Sequence, residues 1–225
     1  MILDTMTLDE RLNEMSSDYI WITNMYNGWY KKYAKALRKR QTNKRIYIDK
    51  KRYVTPNNNS LYVLFFIEKS DYNSRFNKLV WYLLFELVHN NGSSSFISYG
   101  DSGAVTITSH AIQRMHERSG KSFFELFVQD AVSSKNGILG WKLNDYTKNP
   151  NERICAWGDG VLLAIKLRYN AYVATTYLDR DDMHSNQMQQ AYESLIQSQR
   201  FFEQQRGEEL LCHPKLTGIH IKCSA

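Results

Sequence analysis

The sequence predicts an α+β fold in which an antiparallel β-sheet carries a helix pair, with a helical segment before it and a long helix after it. Three observations point there. Residues 152–178 contain three short alternating runs, ERICAW, VLLAIKL and YVATTYL, separated by Gly158-Asp159-Gly160 and Arg168-Tyr-Asn-Ala171, the pattern of an antiparallel meander. Two stretches, 109–119 and 123–134, carry helical signals and follow one another with a glycine between them. The N-terminal third repeats apolar residues at three- and four-residue steps.

The first helix begins at Leu8, because Thr7-Leu-Asp-Glu10 has the form in which a Thr oxygen and a Glu carboxylate each cap a backbone N–H. Beyond Ser17, Ile22, Met25, Tyr26, Trp29, Tyr33 and Leu37 make an amphipathic stripe to about Arg40. Ile46–Val54 and Leu61–Glu68 read as strands around the turn-rich Pro56-Asn57-Asn58-Asn59. The apolar run Leu79–His89 fits a buried helix or a buried strand. Asn90-Asn91-Gly92 and the alternating SSFISYG behind it favour the strand. Val105–Ile107 is a short strand feeding the helix at 109, and Gly120 ends that helix. Ser122-Phe-Phe-Glu125 repeats the capping pattern and starts a helix to about Ser134. Asp181 or Asp182 caps a last helix carrying Met188, Ala191, Leu195, Ile196 and Phe202 to about Arg206. The organisation expected is a basic helical segment over 1–55, an α+β domain over 56–206 and a tail over 207–225.

With 225 residues, 43% of them hydrophobic and 13% aromatic, the chain is long and apolar enough for a proper core. No run of about 18 uncharged apolar residues occurs, and MILDTMTLDERL lacks the order of a signal peptide, so a cytoplasmic protein without a membrane partner is expected. Cys155, Cys212 and Cys223 contain no CxxC, which argues against a disulfide framework or a zinc site. Cys212-His213 with His220 and Cys223 matches no metal-site spacing, and the segment reads as an ordinary tail. No metal and no cofactor are expected.

The net charge of +6 conceals a division. Lys31, Lys32, Lys35, Arg38, Lys39, Arg40, Lys44, Arg45, Lys50, Lys51 and Arg52 face a single acid, Asp49, so this band carries about +10 and the remainder about −4. Trp29, Tyr30, Tyr33, Tyr47 and Tyr53 interleave with it. Cations that neutralise phosphates and rings that stack on bases make RNA or DNA the first expected partner. An acidic protein would meet the same band, and a solvated helix end would need no partner. A membrane surface ranks third, since the cations do not keep to one helix face.

On a helix advancing about 100° per residue, His110, Arg114 and Arg118 fall within an arc of roughly 80°, opposite Ala111, Ile112 and Met115. A histidine can exchange protons near neutrality, and arginine binds phosphate through two parallel hydrogen bonds. The first turn, at the positive end of the helix dipole, favours the neutral, accepting imidazole. The plain alternative is a solvated face with an Arg114–Glu117 pair worth a few tenths of a kcal/mol. His116 points elsewhere on the wheel.

SHAIQRMHER (109–118), followed by a second helix and a meander ending in VATTYLDRDDM (173–183), resembles small bacterial domains related to metal-independent endoribonuclease toxins of the barnase, EndoU, colicin and RelE type. The likeness covers about residues 104–183 and departs at Ser119-Gly120, where the family carries Gly and then an apolar residue. It implies His110, Arg114 and Arg118 as the family's histidine and arginines and Thr176 as its final-strand threonine, with Tyr177 as the second choice. His110 would deprotonate a ribose 2′-OH, the arginines would hold the phosphorane charge, and Thr176 would donate a hydrogen bond. Tyr177, Glu117 and His116 are the candidates for the acid. Alternation along the strand places Thr176 with Ala174 and Tyr172 on one face, and Thr175 with Tyr177 on the other. Three functions therefore stand: metal-independent RNA cleavage at this site, a non-catalytic nucleic-acid-binding module using Lys31, Lys35, Arg38, Lys39, Arg40, Lys44, Arg45, Lys51 and Arg52, and a protein-interaction component, such as an antitoxin's partner, of a bacterial or phage system.

Overall fold

A computed structural model describes residues 1–39, 46–68, 78–100, 103–127, 142–143, 149–157, 160–168, 170–179, 181–185 and 219–223. Its centre is a mixed, mainly antiparallel sheet of ten strands in the order β10-β1-β2-β3-β4-β5-β9-β8-β7-β6. The strands are β1 (Ile46–Val54), β2 (Ser60–Glu68), β3 (Lys78–Val88), β4 (Ser94–Gly100), β5 (Gly103–Ile107), β6 (Lys142–Leu143), β7 (Glu152–Trp157), β8 (Gly160–Lys166), β9 (Ala171–Leu178) and β10 (Ile219–Cys223). Helix α1 (Leu8–Lys39) lies on one face, and α2 (Ser109–Ser119) with the helical residues 123–127 on the other.

Helix α1 is about 48 Å long at 1.5 Å per residue. Thr7 and Glu10 cap it as their spacing predicts, with the Thr7 N–H donating to Glu10 Oε2 at 2.7 Å and the Glu10 N–H to Thr7 Oγ1 at 3.3 Å. Its fully covered residues Met15, Ile22 and Trp29 are seven apart, and they pack with Leu61, Val63, Phe65, Leu83, Phe85 and Leu87. Seven residues are close to two helical turns, so one stripe meets the sheet along this length. A buried carboxylate completes the layer. Asp18, 1% exposed, accepts at Oδ2 from Thr55 Oγ1 and Asn59 Nδ2, both at 2.6 Å, and thereby ties α1 to the β1–β2 turn. That turn closes through Thr55 N–H to Asn59 O and places Asn58 at φ 61°, a conformation asparagine tolerates.

On the opposite face Ala111 and Met115 of α2, with Phe123, Leu126 and Phe127, cover Leu64, Leu84, Phe96, Ile107, Leu162, Ala174 and Tyr177. Thr108 caps α2 by accepting the Ala111 N–H, and Gly120 at φ 66° ends it, its N–H donating to His116 O. The Ser122–Glu125 box forms in the same way as the first. The continuation of this second helix to Ser134, and the C-terminal helix from Asp181 or Asp182 to Arg206, lie outside the described residues.

Two expectations are corrected. The sheet is not purely antiparallel, because β5–β9 and β1–β10 run parallel. Parallel neighbours require a long crossover, and here the chain leaves β5 through the α2 pair, reaches the far edge at β6 and returns as a meander, bringing β9 to β5. The strand alternation assumed for 172–177 also fails. Ala164 pairs with Ala174 but Leu163 with Thr176, so Thr175 is an extra residue and the faces exchange after it. The 55/56 division falls in the turn between β1 and β2, which are hydrogen-bonded along their length. Among the described residues no helix is long and apolar enough to cross a membrane.

Candidate functional site

Helix α2 carries His110 to an open cleft of about 360 Å³ between its first turns and the β3–β4 turn, lined by Asn91, Ser93, Ser94, Ser109, His110, Ile112 and Gln113. Gly92, at φ 79°, donates its N–H to His89 O and closes that turn, as Asn90-Asn91-Gly92 predicts. His110 is exposed, and its side chain makes no hydrogen bond or ion pair among the described residues.

The residues proposed to join it do not do so. Arg114, 43% exposed, pairs with Glu117 at 3.0 Å, the ordinary contact of a solvated face. Arg118 turns to the sheet, donating from Nη1 to the Tyr177 carbonyl and pairing with Asp182 at 3.0 Å. Thr176 pairs with Leu163 and shares the face of Leu163 and Leu178, which pack with Ile154, Val161 and Met183 on the side away from α2. Tyr177 is fully buried in the α2 layer. The bulge at Thr175 thus moves the threonine through the sheet and the tyrosine into the core. His116 and Glu117 are exposed, and Glu117 also accepts from Gln113 Nε2 at 2.7 Å.

Of the basic band, Lys31 and Lys32 are exposed on α1. The side chains of Lys35, Arg38 and Lys39, and residues Arg40, Lys44 and Arg45 altogether, lie outside what is described. Lys51 stands 3.7 Å from Asp49 on the α1 face. On the α2 face the Lys50 ammonium lies 4.1 Å from the Phe124 ring centre, and the Arg52 guanidinium 5.6 Å from that of Tyr62. Arg52 then starts a polar strip across four strands. It donates to Ser60 Oγ at 3.0 Å and to Glu86 Oε2 at 3.3 Å, while Glu86 also accepts from Ser60 at 2.8 Å and from Ser94 at 3.1 Å. Burial, then the neighbouring Glu86, pushes the Tyr62 phenol above its usual range, and Arg52 opposes them in part.

One further polar network, of three side chains, had no signal in the sequence. Asp4 Oδ2 meets His89 Nδ1 at 3.1 Å, and His89 Nε2 meets Ser95 Oγ at 2.6 Å, the order of groups in a nucleophilic relay. Ser95 is 2% exposed and its Oγ accepts the Ser109 N–H at 3.0 Å, so no substrate can approach it. The chain of bonds instead ties the N-terminal segment, the hairpin and the start of α2 together. Among the described residues no group of three or more His, Cys, Asp or Glu could hold a metal ion, and Cys212 and His213 lie outside them. Comparison of the chain with protein-family models, curated proteins and solved structures finds no match.

Proposed function

We propose that the protein binds nucleic acid through its basic band, with α2 as scaffold. The observation that carries this reading is the contact of Trp29 with Tyr53, ring centres 5.3 Å apart. It seats the later part of α1 on β1, so the exposed Lys31 and Lys32 belong to the same end of the molecule as Lys50, Lys51 and Arg52. The two halves of the band, separate in sequence, then meet at this end of the sheet, Lys31, Lys32 and Lys51 on the α1 side of β1 and Lys50 and Arg52 on its other side, beside the rings of Phe124 and Tyr62. Phosphates attract cations gathered in this way whatever the base sequence.

The test is fluorescence anisotropy of a labelled single-stranded RNA over a salt series, wild type against Lys31→Ala/Lys32→Ala. Removing two phosphate contacts lowers the slope of log affinity against log salt by about 1.4 and weakens binding at low salt. No binding by the wild type at low salt, or an unchanged slope in the variant, overturns the proposal. Equal affinity for poly-glutamate of matched charge would point to an acidic protein partner instead.

Metal-independent RNA cleavage is the second reading, favoured by one observation, the exposed His110 in a cleft. Arg118 and Thr176 are not beside it, so the histidine would act without the proposed clamp. RNA incubated in EDTA with wild type and with His110→Ala decides it, since cleavage confined to the wild type is the required result.

A further inference from the structure

We infer that the cleft between the β3–β4 turn and α2 receives an unpaired nucleobase of the strand held on the basic band, an inference that rests on the nucleic-acid reading above. The part of the band on the α2 face, Lys50 and Arg52, is physically joined to the cleft. The strip Arg52–Ser60–Glu86–Ser94 crosses β1 to β4 by hydrogen bonds of 2.8 to 3.3 Å and ends at Ser94, which lines the cleft. Three interstrand spacings make this about 14 Å, a short step along a polynucleotide.

The lining selects the kind of ligand. It contains amides, hydroxyls, an imidazole and Ile112, with no Lys, Arg, Asp or Glu. The carboxylates that touch the lining are already engaged, Glu86 accepting from Arg52, Ser60 and Ser94, and Glu117 from Gln113 and Arg114. Such a wall suits an uncharged planar group with donors and acceptors, not a phosphate or a cation. The two amides are also oriented beforehand. Gln113 donates through Nε2 to Glu117, which leaves its Oε1 as an acceptor. Asn91 accepts through Oδ1 from the Ser93 N–H at 3.0 Å and from Ser93 Oγ at 2.7 Å, which leaves its Nδ2 as a donor. One donor and one acceptor are what the hydrogen-bonding edge of a base requires. The exposed His110 ring offers a face for stacking. At about 360 Å³ the cleft is near the lower limit of ligand sites, a size for one small group. A base inside a duplex has its edge engaged, so the cleft selects single strands.

The experiment compares a ten-nucleotide single strand, an abasic strand of the same charge and a duplex, each titrated with wild type and with Asn91→Ala/Gln113→Ala. Both substituted positions are exposed, and circular dichroism checks the fold. The expected result is a wild-type preference of about tenfold for the base-bearing strand over the abasic one. The double variant loses that preference while its affinity for the abasic strand and its salt slope stay unchanged. Equal wild-type affinity for the two strands, or a preference that survives in the double variant, overturns the cleft and leaves the band standing. Failure of the wild type to bind any of the three overturns both.

Discussion

Replacing Arg118 and Arg114 separately by alanine distinguishes an anchor from a surface charge, although both belong to the same motif. Arg118 is 23% exposed and donates to a main-chain carbonyl 59 residues away. Its removal leaves the Tyr177 carbonyl without that donor, a loss of about 1–3 kcal/mol. The pair with Asp182, itself 46% exposed, adds no more than about 0.5 kcal/mol after screening. The sum is about 2 kcal/mol, which for a chain of this length lowers Tm by roughly 4–8 °C. Arg114 and Glu117 are 43% and 41% exposed, and their pair contributes a few tenths of a kcal/mol at most. Urea unfolding of the two variants should show the midpoint of Arg118→Ala clearly lowered at unchanged m value and that of Arg114→Ala within error of wild type. Two variants of equal stability, or a larger loss for Arg114→Ala, would show that Arg118 is not held as described.

Gly160→Ala should unfold the meander or cost more than about 3 kcal/mol by overpacking and strain, because the new Cβ would lie 2.5 Å from Tyr177 Oη and closer still to the Leu178 carbonyl. Gly120→Ala, with open space around it but a φ of 66°, should cost only about 1–2 kcal/mol, and thermal melts compare the two. Asp18→Ala removes the acceptor of Thr55 and Asn59 from a buried site and should cost about 2 kcal/mol in urea unfolding. The Glu125 carboxyl is held below its usual range, first by the Ser122 N–H and then by the Ser122 hydroxyl. Its folded pKa is therefore the lower one, so its stabilisation is complete above the ordinary glutamate value of about 4.3 and is lost as pH falls through the folded value. Stability measured from pH 7 to pH 3 should show the deficit of Ser122→Ala narrowing toward the acid end without vanishing, because the Glu125 N–H also loses the Ser122 oxygen at every pH.

The sequence by itself determined the elements of this protein wherever their cause is local. The Thr7–Glu10 and Ser122–Glu125 boxes, the three- and four-residue stripe that contains Ile22 and Trp29, the glycine stop at Gly120 and the three runs of the meander each depend on residues within a few positions of one another. Helix and strand periods write such causes directly into the order of residues. Position in the fold depends on partners that are distant in the chain. One extra residue at Thr175, seen only against Leu163 and Ala164, reverses the faces of Thr176 and Tyr177 and removes both from the predicted site. A carbonyl 59 positions away claims Arg118, and the β3–β4 turn, some twenty residues before α2 in the chain, supplies the opposite wall of the His110 cleft. Tertiary structure decided these points because hydrogen bonding between strands and the burial of side chains pair groups by distance in space, which no local period encodes.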